Sequence, residues 1–267
     1  MKKGGFIMIV TVLGSSAKQT SLRECVSVLV DTNCASILFD AGPGVVSSLR
    51  RANRDSSSIN NIVLTHVHGD HILGFAYFIF DRNGELKSKK DIDLNEYSLT
   101  VYGQADTINL AKTTLDLAYP GMKLVFDLKF VEVTNDSTVN IENTTMSFFD
   151  AIHAVPTLST VVYSENKKLV YTSDTLPNES LYGIAQNADC LIHEGMFTNE
   201  NYERSRKSKH STSLDAAMFA EQVHAKELVL VHIAPAMFGK EGNMLKEVSE
   251  TYTGIASIPF DGCVYLV

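Results

Sequence analysis

The stretch "NIVLTHVHGDHILG", residues 61–74, places His66, His68, Asp70 and His71 within six positions, directly after an apolar run. The whole chain has only eight histidines, so three in one turn is a concentration that packing does not account for. His66 and His68 are two residues apart, and in an extended or turning segment their rings can face one point. Gly69 follows and allows a sharp entry into a helix carrying Asp70 and His71. One loop can therefore offer ligands to two adjacent metal positions. Imidazole with carboxylate suits Zn²⁺ best, with Mn²⁺ or Fe as competitors.

Further candidates stand at the ends of other apolar runs. "SFFDAI" runs into His153, "LVYTS" into Asp174, "CLI" into His193 and Glu194, and "LVLV" into His232. Ligands at strand ends can converge on one rim of a sheet while the strands stay in the core. A structural histidine has no reason to prefer that position repeatedly.

The elements that must hold these residues are mostly short β-branched runs separated by turn residues. "FIMIVTVLG", "ECVSVLVD", "SILFDAGPG", "NIVLTH", "LTVYG", "KFVEV", "MSFFDAIHAV", "STVVYSE", "KLVYTSD", "CLIHE", "ELVLVH" and "GCVYLV" read as strands of a sheet-rich α/β protein. Helices are predicted at 44–52, roughly 69–79, 104–117, 178–187 and 213–224. The last begins with the capping-box pattern "TSLD", and Leu214, Ala217 and Met218 fall at helical spacing. Neither an interdomain linker nor a repeat is visible, so residues 1–267 are expected to form one domain. The polar segment 81–96 reads as a solvated surface loop, with a lid over the histidine cluster as the functional alternative.

Composition narrows the partners. With 267 residues and 45% hydrophobic content the chain can build one substantial core. A formal net charge of −8 argues against a broad nucleic-acid-binding face. Cys25, Cys34, Cys190 and Cys263 form no C-x-x-C pair and read as buried, reduced thiols. Lys2 and Lys3 before an apolar run imitate a signal peptide, but that run is short and β-branched and reads as a first strand. No stretch approaches the roughly 18–20 apolar residues of a membrane span. A cytoplasmic protein is expected.

The motif "THVHGDH" resembles the H-x-H-x-D-H signature of the metallo-β-lactamase fold, and the downstream pattern is similar to its ribonuclease Z branch. The likeness runs from "VTVLGSSA" through "FDAGPG", "HAVPT", "YTSDT", "LIHEGMF" and "HSTSLDAA" to "VLVHIAP", nearly the whole chain. It implies an αββα sandwich with the site at one sheet edge. It also implies that His66, His68 and His153 hold one metal, that Asp70, His71 and His232 hold a second, and that Asp174 bridges them. Two divalent ions so placed acidify a shared water and clamp the oxygens of a phosphodiester or carbonyl, with Asp70 orienting the nucleophile.

By the same resemblance, Glu194 in "HEGM" and His210 in "HST" match a pair in which the carboxylate orients an imidazole beside the scissile phosphate. The family's "HEAT" has become "HEGM" here. A carboxylate partner keeps imidazole protonated near neutral pH, fit to stabilise a phosphorane oxygen or protonate the leaving alkoxide. The basic run "RSRKSK", 204–209, is either a solvated turn or an anion-gathering lip. Arg23 is a second candidate phosphate contact, in a segment that departs from the family's Pro-rich, Arg-Asn form. "DAGPG", 40–44, is a strand-to-helix turn needing glycine, and Asp40 is also a candidate brace for a metal-ligating histidine. His193 is expected to contact backbone, His224 to lie on the surface, and Tyr102, Tyr163 and Tyr171 to pack in strands.

Ribonuclease Z proteins typically carry a long arm that grips tRNA between the positions of His153 and Asp174. Here "AVPTLSTVVYSENKKLVYTS" leaves room for a hairpin only. The compact form is similar to relatives that hydrolyse cyclic nucleotides, including phage-encoded enzymes that blunt cyclic-nucleotide immune signalling. The expected function is therefore a dinuclear metal-dependent phosphodiesterase acting on a small phosphodiester or cyclic nucleotide. Ribonuclease Z-type tRNA processing and hydrolysis of an ester, lactone or lactam are the alternatives, and a non-enzymatic nucleotide-binding role is the reading from another class. Analogy with the family implies a homodimer.

Overall fold

The computed structural model describes residues 8–267, so Lys2, Lys3 and the start of the first predicted strand lie outside the described residues. One seven-stranded sheet has the order β14-β1-β2-β3-β4-β5-β6. Its strands are β1 (Ile9–Gly14), β2 (Ser27–Asp31), β3 (Ser36–Phe39), β4 (Asn61–Val63), β5 (Leu99–Gly103), β6 (Leu128–Glu132) and β14 (Val264–Leu266). The second, also seven-stranded, runs β13-β12-β11-β10-β9-β8-β7. It comprises β7 (Thr138–Ile141), β8 (Thr144–Asp150), β9 (Leu158–Ser164), β10 (Lys167–Tyr171), β11 (Cys190–Glu194), β12 (Glu227–Val231) and β13 (Ile255–Ser257). Each sheet starts antiparallel and turns parallel, at β3–β4 in the first and at β10–β11 in the second.

Apolar side chains from both sheets meet in one layer that includes Val28, Phe39, Met146, Val162, Tyr171 and Val229. On the outer face of the first sheet, Leu38, Ile62 and Val101 pack against α1 (Val45–Arg51), α3 (Phe75–Ser88) and α4 (Ala105–Ala118). On the outer face of the second, Leu191, Leu228 and Leu230 pack against α7 (Ser213–Gln222) and α8 (Glu241–Ser249). The layering is α/β/β/α, as expected. Central strands such as β4 and β12 are apolar on both faces because each is covered on both sides.

Several predicted elements differ in extent. The helix expected at 69–79 is two: α2 (Gly69–Ile72), then α3 after a break at Leu73–Gly74. The break lets the Asp40–Gly44 turn pack onto the histidine loop. A Cβ on Gly42 would lie 2.0 Å from the Asp70 carbonyl oxygen, and one on Gly74 would lie 2.1 Å from that of Gly42. The helix expected at 178–187 is a single 3-10 turn, Glu179–Leu181, followed by α5 (Tyr182–Ala185). In α7 the Thr212–Asp215 capping box is present, but Met218 faces out, and Ala216, Ala217, Phe219 and Ala220 form the buried side.

The loop expected at 81–96 is corrected: its first half continues α3. Arg82 is buried and donates to the carbonyls of Ser56, Ile59 and Tyr97, so charge in this segment does not mean exposure. Ser56 and Ile59 precede β4 whereas His66 follows it, so this segment lies at the opposite end of the strand from the cluster and is no lid. β7 and β13, short strands at one end and the other of the second sheet, are additional to those predicted.

Candidate metal centre

Strand ends and loops from both sheets deliver the polar residues to one place. His66, His68, Asp70 and His71 follow β4, His153 follows β8, Asp174 follows β10 and His232 follows β12. Asp174 is the common point. Its Oδ2 lies 3.3 Å from His232 Nε2, 3.4 Å from His71 Nε2, and 3.8 Å from both His66 Nε2 and His153 Nε2. His153 Nε2 is 3.2 Å from His68 Nδ1, and Asp70 Oδ2 is 3.4 Å from His232 Nε2 and 3.6 Å from His71 Nε2.

The donor atoms form a group of His66, His68, His153 and Asp174 and a group of Asp70, His71 and His232, each within 4.8 Å, and an overlapping third group joins His210 to Asp174 and His232. The first two are the sets that the motifs imply, with Asp174 able to face both. His66 Nε2 and His71 Nε2 are buried with no hydrogen-bond partner, which is unfavourable unless a cation takes their lone pairs. The donor set thus fits two adjacent divalent ions.

The electrostatics fit as well. Burial, reinforced by the charge of His71, holds the His66 pKa well below its ordinary value, so its ring is neutral. Burial alone would raise Asp174, but His232 and His71 outweigh it and keep the carboxylate ionised. Burial would lower His71, yet Asp174 and Asp40 draw a proton onto it when no metal is bound.

A surrounding ring of contacts fixes these side chains. Asp40 Oδ2 is 2.8 Å from His71 Nδ1, which makes Asp40 the brace that was one of its two readings. Tyr171, expected only to pack in a strand, also donates its hydroxyl to Asp40 across the sandwich. Tyr102 is buried in the strand layer, and Tyr163 is more exposed and lies under Lys168. The Lys209 carbonyl is 2.8 Å from His153 Nδ1, a contact no residue type announces. Asp40, Ser173, Lys209 and His232 all hold left-handed φ angles between 55° and 62°, in a region costly for side chains with a Cβ.

Glu194 and His210 form the expected pair. His210 Nδ1 is 3.0 Å from Glu194 Oε1 and 3.2 Å from Oε2, and Glu194 Oε1 also accepts from the Thr175 backbone at 2.6 Å. One buried carboxylate therefore holds His210 and the residue next to Asp174 together. The His210 ring stacks on His232 with 5.0 Å between centroids. Burial would lower the His210 pKa, but Glu194 more than offsets this and raises it to about 9. Burial raises Glu194 in turn, and His210 opposes that rise.

Other expectations meet mixed outcomes. His193 contacts the Glu194 carbonyl, and burial pushes its pKa down to about 4. His224 is exposed. Arg23 is no phosphate contact: it is buried, paired with Glu241 and bonded to Ser15 and the Pro259 carbonyl, between the Phe238 and Phe260 rings. The 204–209 run is largely helix, α6 (Tyr202–Lys207), rather than a turn. Its Arg206 is bound to both Asp215 oxygens, which leaves Lys207 and Lys209 as exposed lysines at its end. Between His153 and Asp174 there is only the β9–β10 hairpin. The cysteines are free, but only Cys25 and Cys190 are buried; Cys34 and Cys263 are half-buried.

Two face-to-face sheets with histidine and aspartate donors at their shared edge define a metal-dependent hydrolase of the metallo-β-lactamase fold. The chain belongs to the beta-lactamase superfamily, whose domain matches residues 35–233. It is 27% identical to a protein named ribonuclease Z from Natronomonas pharaonis, over 95% of this chain and 96% of that protein. Its fold is similar to the metallo-β-lactamase fold protein YhfI from Bacillus subtilis, with a TM-score of 0.84, 24% identity, and coverage of 98% of this chain and 100% of that one. It is also similar to the short form of human tRNase Z, with a TM-score of 0.78, 20% identity, and coverage of 97% and 98%. Among the described residues, no helix is long and apolar enough to cross a membrane.

Proposed function

We propose that this protein is a dinuclear metal phosphodiesterase acting on a small phosphodiester, with a cyclic nucleotide as the substrate class that fits best. The observation that carries the reading is the Glu194–His210 pair packed against Asp174. An imidazolium beside two cations suits a reaction in which negative charge builds on phosphoryl oxygens and on a leaving alkoxide. Acyl transfer has less need of it.

In this reading His66, His68 and His153 would hold one ion, Asp70, His71 and His232 would hold the other, and Asp174 would serve both; Zn²⁺ suits the donors best, and Mn²⁺ is the competitor. When bound, the ions supply an acidified water and polarise the phosphoryl group. Asp70, the more exposed of the two carboxylates, orients the attacking water. His210 holds its proton on the side away from Glu194 and delivers it to the leaving oxygen.

Two features support a small substrate. The β9–β10 hairpin has no extension, and the net charge is −8. A second reading, ribonuclease Z-type cleavage of tRNA precursors, is favoured by the likeness to proteins of that name over nearly the whole chain.

The test is a panel of cyclic mono- and dinucleotides, linear diesters, a carboxylic ester and a tRNA precursor, assayed with wild type, Asp70→Ala and His210→Ala. The reading expects cyclic nucleotide turnover that falls about 10²–10⁴-fold in His210→Ala and is lost in Asp70→Ala. Preference for the tRNA precursor would establish the second reading. Ester hydrolysis indifferent to His210→Ala would move the reaction to acyl chemistry.

A further inference from the structure

An imidazole can bind a metal only through a nitrogen free of its proton, and the bare nitrogen is decided by what the other one touches. For His71 the matter is settled by Asp40. A carboxylate oxygen 2.8 Å from Nδ1 accepts a proton there, and Nε2 faces Asp70 and Asp174. His66 has no carboxylate at its Nδ1. Its neighbour is the Thr65 hydroxyl at 3.0 Å, in a fully buried setting.

A hydroxyl has one proton and two lone pairs. The Thr65 proton goes to Asp40, whose two oxygens are both 3.0 Å away. One lone pair receives the Ser173 hydroxyl at 2.9 Å. What remains is a lone pair, which only a donor can satisfy. His66 must therefore carry its proton on Nδ1, and Nε2, buried without any hydrogen-bond partner, is the bare nitrogen. The arrangement is held from both sheets: Asp40 follows β3 and Ser173 follows β10, each with a left-handed backbone, at φ 61° and 55°. Asp40 is fixed further by the Thr65 backbone N–H and the Tyr171 hydroxyl.

We propose that Thr65 is a positioning residue that extends the Asp40 carboxylate to His66. One buried carboxylate then fixes the metal-facing nitrogen of a histidine in each donor group, His71 directly and His66 through the hydroxyl. The proposal rests on reading His66 and His71 as ligands. Thr65→Val removes the hydroxyl at nearly constant shape, and Thr65→Ser keeps it.

Two measurements on the full chain test this: stepwise Zn²⁺ binding, and the ring-nitrogen NMR signals of His66 in metal-free protein, assigned through a His66→Gln spectrum. Thr65→Val is expected to weaken one of two Zn²⁺ equivalents about 10–100-fold, the range for loss of such a supporting contact, with the other changed less than about threefold. The His66 signals should move from the Nδ1–H form to a mixture, and Thr65→Ser should restore both readouts. Equal loss of both equivalents, or an unchanged His66 form in Thr65→Val, overturns the proposal. If the valine variant does not fold, Thr65→Ser against Thr65→Ala makes the same comparison. Wild type that binds no divalent ion would remove the ligand reading, while the His66 signals still decide the hydroxyl link.

Discussion

His210 sits where two opposing effects meet. Burial disfavours its charge, the Glu194 carboxylate favours it, and the carboxylate wins, with a pKa of about 9. The imidazolium is therefore present at neutral pH and is lost as pH rises through that value. Two bound cations would pull that value down, so wild-type turnover of a phosphodiester should show an alkaline limb below about pH 9. Glu194→Gln removes the raising charge, so the limb should move down toward or below the ordinary histidine value of about 6.5. A pH–rate profile with the limb unmoved in Glu194→Gln would remove His210 from the proton transfer. The linkage also bears on folding: the stability gained from the charged ring is complete below the ordinary histidine pKa and is lost as pH rises through about 9. Glu194 and His210 were legible from the sequence because motif and residue type both pointed to them. Thr65, Ser173 and the Lys209 carbonyl were not, since hydroxyls and carbonyls are everywhere in a chain. Only the three-dimensional count of donors and acceptors distinguishes these.

Between α6 and α7 a single carboxylate does two jobs. Asp215 closes the capping box with Thr212 and binds Arg206 through both oxygens, which clamps the two helices on either side of His210. Burial would raise its pKa, but Arg206 and Thr212 outweigh it and lower it. Stability from this group is thus fully present above the unfolded carboxylate value and is lost as pH falls through the lower folded one. Asp215→Ala should cost roughly 1–3 kcal/mol in denaturant unfolding at pH 7. The difference from wild type should shrink on acidification, and a difference constant down to the acid limit would contradict this account. The capping box was visible as "TSLD", and the central strands were visible as β-branched runs because both faces of each are covered. What the sequence concealed was long-range. Asp81, Arg82 and Glu85 look like a solvated loop until the carbonyls of Ser56, Ile59 and Tyr97 are seen around the Arg82 guanidinium. The break at Gly74 is likewise imposed by the Gly42 turn, 32 positions earlier in the chain.

At the scale of the molecule, the two sheets are joined by an apolar layer and, at one edge, by polar groups that need a cation. His66, His68, Asp70 and His71 come from the first sheet, and His153, Asp174 and His232 from the second. Ions bound there would link the sheets at the end where Asp40, Ser173, Lys209 and His232 hold costly backbone angles. The unfolded chain offers no such preformed site, so binding adds directly to stability. At free metal 100-fold above its dissociation constant, one site contributes about 2.7 kcal/mol. For a chain of this size each kcal/mol shifts Tm by roughly 2–4 °C, so one occupied site should raise Tm by roughly 5–10 °C. Chelation of the purified protein should lower Tm by that amount or more, and added Zn²⁺ should restore it. Asp174→Asn, which weakens the residue facing both donor groups, should abolish most of the metal-dependent shift. A Tm that ignores both chelator and Zn²⁺ would mean that the edge is held by its own hydrogen bonds, and that the orphaned nitrogens of His66 and His71 have some other partner than a metal.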